Sequence, residues 1–287
     1  MSQVNNHSVA QPIVVDVLAP AILLGRGGSG TRLLSALAAQ SGAFLGNDLN
    51  VSGDSVEWVA DIYELAREAC ASDIAPGSER DAYWRQALQQ RATDILGKAA
   101  LPAGAKWGWK LPETILALPQ ILRAFPRARV IHLTRHPFTS SLRRTHMTSR
   151  NDNPIGASVL SSAYRAAGRA PEAILADEPY LHNAYTWAYQ VGGACRALDA
   201  FCQDDRVLRL RYEDLCANPA QARGEIAAFL GIQTASGCDA ALIDWRRTDD
   251  VDPGDARLDH IWSICGDVAR SIGYSRTDFA PAPRQAP

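Results

Sequence analysis

Five short apolar runs, each closed off by turn-forming or polar residues, constrain this chain more than any other feature. They are Ala21–Leu24, Ala43–Leu45, Lys106–Trp109, Val130–Thr134 and Val207–Leu210. Runs of this length between breakers read as buried strands. Segments with helical spacing lie between them. Leu33, Leu34, Leu37 and Ala38 mark one helix, Trp58, Ile62, Leu65 and Ala66 a second, and Trp84, Leu88, Ile95 and Leu96 a third. Ile115, Leu118, Ile121, Leu122 and Phe125 mark a fourth, and Ala184 to Leu198 a fifth. Strands alternating with helices predict an α/β fold: a single domain with a parallel sheet of about five strands, flanked by helices on both faces. In such sheets ligands bind where loops leave the C-terminal strand ends. The residues after Leu24, Leu45, Trp109, Thr134 and Leu210 are therefore where chemistry is sought.

With 287 residues and 47% apolar composition, the chain holds ample material for one large core. The expected organisation is an N-terminal segment over 1–18, one domain over 19–278, and a Pro/Ala-rich tail over 279–287 that is disordered. The polar stretch Arg246–Asp259 reads as a mobile loop. A net charge of −2 argues against a nucleic-acid binder. No apolar run approaches the roughly 18 residues of a membrane span, and the opening MSQVNNHSVA lacks a secretory pattern. The expected location is cytoplasmic. Six cysteines, with no CxxC pair, indicate no zinc site and are expected to be free thiols. Charge is uneven, however. Residues 106–150 hold nine Lys/Arg against the single acid Glu113, enough for a local field that gathers a polyanion, or merely for solvated faces.

The first strand runs into Gly25-Arg26-Gly27-Gly28-Ser29-Gly30-Thr31-Arg32 and then the first helix. Such a turn lets backbone N–H groups crowd around an oxyanion at the helix N-terminus. Ser29 and Thr31 add hydroxyl donors, and Arg26 and Arg32 add charge. Gly25, Gly27 and Gly30 also satisfy the dinucleotide fingerprint, with Asp48 near the distance of a ribose-binding acid, so an NAD(P)-dependent oxidoreductase is a real alternative. A nucleoside-triphosphate loop fits worse, because Thr31-Arg32 stands where Lys-Ser/Thr is needed.

Three segments taken together carry a family resemblance. Gly25 to Leu34 resembles the 5′-phosphosulfate loop of sulfotransferases that use 3′-phosphoadenosine 5′-phosphosulfate (PAPS). Val130–Thr134 followed by Arg135-His136-Pro137 is similar to that family's 3′-phosphate motif. Arg211-Tyr212-Glu213-Asp214-Leu215, then Asn218-Pro219 and Phe229-Leu230-Gly231, resembles its third shared segment. The likeness spans roughly residues 20–235 and implies a P-loop, nucleotide-kinase-like sheet, with PAPS as donor and its product PAP. It implies nucleotide contacts from Arg26, Gly27, Gly28, Ser29, Gly30, Thr31, Arg32, Arg135, Arg143 and Tyr212, the last on the adenine. Two positions depart from the pattern: the usual basic residue before Ser-Gly-Thr is Gly28, and the usual serine eight positions after the motif arginine is Arg143. Glu213 and Asp214 are expected to cap the following helix instead.

Sulfuryl transfer is an in-line displacement governed by positioning and charge stabilisation. The resemblance makes Lys110 the cation against the leaving phosphate. A hydroxyl or amine acceptor needs a general base, and the histidine some relatives use is here Pro112. Asp48 and Asp54 are the candidates, with Glu113 a third; Asp54-Ser55 could equally cap the second helix. His132 is expected to be a packed residue, and His136 either faces the nucleotide or only ends its strand. His146, His182 and His260 show no partner pattern. No metal is implied, and the acceptor, whether a glycan, a small metabolite or a peptide tyrosine, is not legible. A nucleotide-binding protein without catalysis is the remaining alternative.

Overall fold

The computed structural model describes residues 15–201, 203–233 and 251–279. Four strands form one all-parallel sheet: β1 (Ala21–Leu24), β2 (Gly108–Lys110), β3 (Arg129–Thr134) and β4 (Val207–Arg211), in the order β2-β1-β3-β4. The expected fifth strand, Ala43–Leu45, is reduced to a single parallel bridge between Phe44 and Trp107. Its pairing stops there because Ser55 takes the β2 edge next: its N–H donates to the Lys110 carbonyl at 2.8 Å and its Oγ accepts the Lys110 N–H at 3.0 Å.

Helices cover both faces, as the alternation predicts. On one face α1 (Thr31–Gln40), α8 (Tyr212–Ala217) and α9 (Pro219–Leu230) pack on Ala21, Leu23, Ile131, Leu133 and Leu210. On the other, α2 (Val59–Ala71), α3 (Glu79–Lys98), α4 (Leu118–Ala124) and α7 (Pro179–Phe201) pack on Ile22, Leu24 and Val130. Successive strand residues thus serve opposite layers, the period-2 consequence of the pleat. The second layer is anchored by Trp58 stacked on Trp109, with ring centroids 4.3 Å apart, and by Phe125 edge-on to Trp109 at 5.4 Å. Short α5 (Pro137–Ser141) and α10 (Arg257–Ser271) form a further cluster with α7 around Phe138, Trp187 and Ile261, while α6 (Pro154–Ala166) packs against α2 and α7 through Ile155, Val159 and Leu160.

The fourth expected helix is split into a 3-10 turn, Pro112–Ala117, and α4, which has a proline in its own first turn. Arg257–Asp259, expected as loop, is already α10; residues 246–250 of that stretch and 280–287 of the tail lie outside the described residues. Cys70, Cys195, Cys216 and Cys265 are free thiols, while Cys202 and Cys238 lie outside the described residues. No helix among the described residues is long and apolar enough to cross a membrane.

Candidate active site

The carboxyl ends of the strands converge on a cleft of about 340 Å³ lined by Gly27, Gly28, Gly30, Thr31, Arg32, Ser52, Asp54, Lys110, Pro112, Arg135, Arg143, His146 and Tyr212. Ten of the thirteen nucleotide and catalytic residues expected from sequence meet there. A larger cleft of about 500 Å³ lies against β4, α8 and α9. It holds neither the glycine turn nor Lys110, so the smaller cleft is the candidate site.

The turn from β1 to α1 ends in Gly30, which is left-handed (φ 93) and caps α1 with no side-chain hydrogen bond. The Leu33 and Leu34 N–H groups bond back to the Gly30 carbonyl at 2.9 and 3.4 Å, so the Thr31 and Arg32 N–H groups are the first-turn donors left to an anion or water. The Ser29 hydroxyl is buried and hydrogen-bonds to no other protein group among the described residues. The open Thr31 and Arg32 amides, with the Thr31 hydroxyl and the Arg32 charge in the cleft lining, fit an anionic group such as a phosphosulfate.

Each remaining strand end adds one side chain. Arg135 follows β3 and is 1% exposed; its Nε donates to Thr139 Oγ1 at 3.1 Å, and its guanidinium lies 4.4 Å from the Tyr212 ring centroid. Tyr212 follows β4 and is buried against Gly30. Lys110 ends β2. Its Nζ, 1% exposed, donates to the Ser52 carbonyl at 2.7 Å and to Asp54 Oδ1. Burial pushes the ammonium below its ordinary pKa, and the Asp54 carboxylate opposes that push. Arg143 lines the same cleft and Arg32 its exposed rim, where Arg32 donates to Ser52 Oγ at 3.1 Å.

Three expectations for these residues change. Arg26 does not line the cleft: it is 2% exposed beneath the turn, donating to Ser149 Oγ at 2.8 Å, Thr186 Oγ1 at 3.2 Å and Asn183 Oδ1 at 3.3 Å. Burial without a carboxylate partner pulls its pKa down to about 10, still a cation at neutral pH. Arg32, not Arg26, is therefore the arginine of this turn that lines the cleft. Asp48 is exposed and outside the lining, whereas Asp54 is inside it. Ser29 sits behind the turn rather than on its surface.

Glu213 does not cap α8. Its Oε1 accepts the His136 N–H at 2.9 Å and its Oε2 the Tyr274 hydroxyl at 2.9 Å, so it ties β4 to the β3 end. His136 ends its strand and faces away from the cleft; Nδ1 accepts the Phe138 N–H, leaving Nε2–H to donate to the Ser275 carbonyl at 3.0 Å. His132 is buried within the sheet as expected. Asp54-Ser55 gives no side-chain cap to the turn entering α2; Ser55 Oγ instead accepts the Lys110 N–H at 3.0 Å. Glu113 is 2% exposed just behind the cleft, and burial pushes its carboxyl up to about 7, with the Asp54 charge adding to the effect.

His146 is the site residue that sequence reasoning missed. It precedes the 3-10 turn Met147–Ser149, and its imidazole lies directly over Gly27. Among the described residues no group of three or more His, Cys, Asp or Glu could hold a metal ion.

A sulfotransferase family model matches residues 20–236. No curated protein matches the chain. Among solved structures, a sulfotransferase from Alicyclobacillus acidocaldarius aligns at 14% identity over 94% of this chain and 99% of that one, with a TM-score of 0.51. The sulfotransferase domain of the Synechococcus PCC 7002 olefin synthase aligns at 21% identity over 90% and 95%, with a TM-score of 0.46. A Mycobacterium avium sulfotransferase aligns at 16% over 89% and 77%, with a TM-score of 0.48.

Proposed function

This chain belongs to the sulfotransferase family, and we propose that it takes the sulfuryl group from PAPS, releases PAP, and delivers the group to a hydroxyl or amine acceptor. One observation carries the reading: the buried Lys110 ammonium opens into the same cleft as the glycine turn, Arg135 and Tyr212. An anion-binding turn and a cation at a neighbouring strand end are what displacement from a phosphosulfate requires.

Within this reading the turn amides and Thr31 hold the 5′ end of the donor, and Arg135, with Arg143 beside it, holds the 3′-phosphate. Tyr212 offers its ring to the adenine. Lys110 stands against the oxygen on which charge grows as the sulfuryl group leaves. Asp54 accepts the proton of the incoming hydroxyl or amine. Its pairing with Lys110 holds it in the cleft lining for that task. The dinucleotide alternative loses its ribose contact, because Asp48 is exposed and outside the cleft lining.

The test is calorimetric titration with PAP, using NADH and ATP as controls, together with PAP release from PAPS. Micromolar or tighter PAP binding, weakened in Arg135→Ala, is expected. Lys110→Ala is expected to lower turnover by about 10²–10³-fold while PAP binding persists. NADH binding without PAP binding would overturn the donor assignment.

A further inference from the structure

The His146 imidazole is locked into one tautomer by its neighbours. The Thr148 backbone N–H, which can only donate, points at His146 Nδ1 at 3.3 Å, so Nδ1 carries no proton. The Thr148 hydroxyl lies 3.0 Å from the same nitrogen and must donate as well. Its own oxygen accepts from Gln190 Nε2 at 3.4 Å, which fixes the direction of the chain. Two donors on Nδ1 leave the ring proton on Nε2.

His146 lines the cleft, and with Nδ1 engaged by Thr148, Nε2 is the ring nitrogen left to serve a ligand there. The ring covers Gly27 so closely that a Cβ built there would lie 2.2–2.4 Å from Cε1, Nε2 and Nδ1. The imidazole fills the place a side chain at residue 27 would need, and it lines the cleft together with Lys110 and Asp54. Protonation of the second nitrogen is opposed from several sides: burial first, then the Arg26 charge beneath the turn and Lys110 across the cleft, with Asp54 alone acting the other way. These hold the ring down to a pKa of about 4.

We propose that His146 is a neutral hydrogen-bond donor to the transferred sulfuryl group, its Nε2–H directed at a sulfuryl oxygen between the glycine turn and Lys110. The proposal rests on the sulfotransferase reading above and deepens it. His146 in this tautomer has no free lone pair toward the cleft, so it cannot be the base; that task stays with Asp54. It forms and breaks no covalent bond. It offers a donor whose contact strengthens as charge moves onto the oxygens in flight, with no added cation to repel Lys110.

Three kinds of measurement test this. PAP lacks the sulfuryl group, so PAP affinity in His146→Ala and His146→Phe should stay within about threefold of wild type, while PAP release from PAPS with water as acceptor falls about 10²–10³-fold, as for loss of one oxyanion donor. His146→Gln, which keeps an N–H at a similar reach, should recover most of that loss. Imidazole nitrogen NMR of the wild type should show an Nε2–H neutral ring that does not titrate between pH 8 and 5, a readout independent of turnover. Unchanged PAP release in His146→Phe, equal loss in Phe and Gln, or a ring titrating near 6.5 would overturn the role. A wild type that binds no PAP would overturn the parent reading instead, and the role with it.

Discussion

Replacing Gly30 with alanine separates the two demands that the glycine turn meets. The residue sits at φ +93, which costs an L side chain about 1–2 kcal/mol. Its new Cβ would also lie 2.1 Å from Tyr212 Cδ2 and 2.3 Å from Cε2, well inside contact distance. The ring must move, and the Arg135 guanidinium 4.4 Å from its centroid then loses a desolvated cation–π partner worth about 1–2 kcal/mol. Gly28→Ala is the matched control. It carries the same kind of backbone strain, at φ +88, but its Cβ meets nothing within 4 Å. Gly28→Ala should lose about 1–2 kcal/mol of stability in urea unfolding, and Gly30→Ala more, because the displaced ring and its lost cation–π contact add to the same strain. Only Gly30→Ala should also weaken PAP, by about tenfold or more, since each 1.4 kcal/mol of lost binding is tenfold. Calorimetric titration of the two variants side by side reads the difference. PAP affinities within twofold of each other would refute the claim that Tyr212 and Arg135 hold the nucleotide as a unit.

Further predictions rest on other buried groups. Arg26→Met should destabilise the fold by roughly 1–3 kcal/mol in urea unfolding, because Ser149, Asn183 and Thr186 lose a buried charged donor; unchanged stability would mean the network contributes nothing. Glu113 has a folded pKa of about 7, above its ordinary 4.5, so its contribution is full below pH 4.5 and is lost as pH rises through 7. Glu113→Gln should therefore gain up to about 3 kcal/mol on wild type at pH 8 and little at pH 4.5. His132, His136 and His146 are each held down to about 4 by burial, so the unfolded chain takes up their protons first as pH falls below 6.5. Three such groups outweigh the opposing gain from Glu113, and stability should fall by roughly 2–4 kcal/mol between pH 7 and 5; a flat profile in pH-resolved urea melts would contradict the burial of these rings.

Strand ends were legible because a buried parallel strand announces itself as a short apolar run, and the chemistry sits where such runs stop. Lys110 and Arg135 stand at the positions that rule marks, while Tyr212, two residues past Leu210, came from the family resemblance. The choice between Asp48 and Asp54 does not, because it is made by a loop. The Asn50 side chain accepts the backbone N–H groups of Ser52 at 2.8 Å and Asp54 at 3.0 Å, and donates to Asp54 Oδ2 at 2.9 Å. This folds the segment back so that Asp54 meets Lys110 while Asp48 is left in solvent. No periodicity encodes such a closure. His146 was invisible for a related reason: it stands on a three-residue 3-10 turn, where no repeat fixes a side-chain direction.

Charge counting stops at the same boundary. Nine cations between 106 and 150 suggested a field for a polyanion, yet four of them are held by groups outside that run or beside them in it. Arg123 binds Asp81, Arg127 binds Asp16, Arg129 reaches the Phe229 carbonyl and Arg150 pairs with Asp152. Only Lys110, Arg135 and Arg143 of the nine line the cleft. Asp81 and Asp16 lie 42 and 111 residues from their arginines, so the neutralising partners are supplied by tertiary folding. A cation can serve a ligand only where the fold brings it to the cleft lining, whatever carboxylate it holds: Lys110 pairs with Asp54 and still lines the cleft, whereas the four above are tied elsewhere. Arg26 is the converse case: no carboxylate reaches it, yet it is spent on Ser149, Asn183 and Thr186 beneath the turn. Its charge can still act on the cleft through the low-dielectric interior without touching a ligand. A turn read as two candidate arginines is thus one cleft-lining residue, Arg32, and one buried source of field.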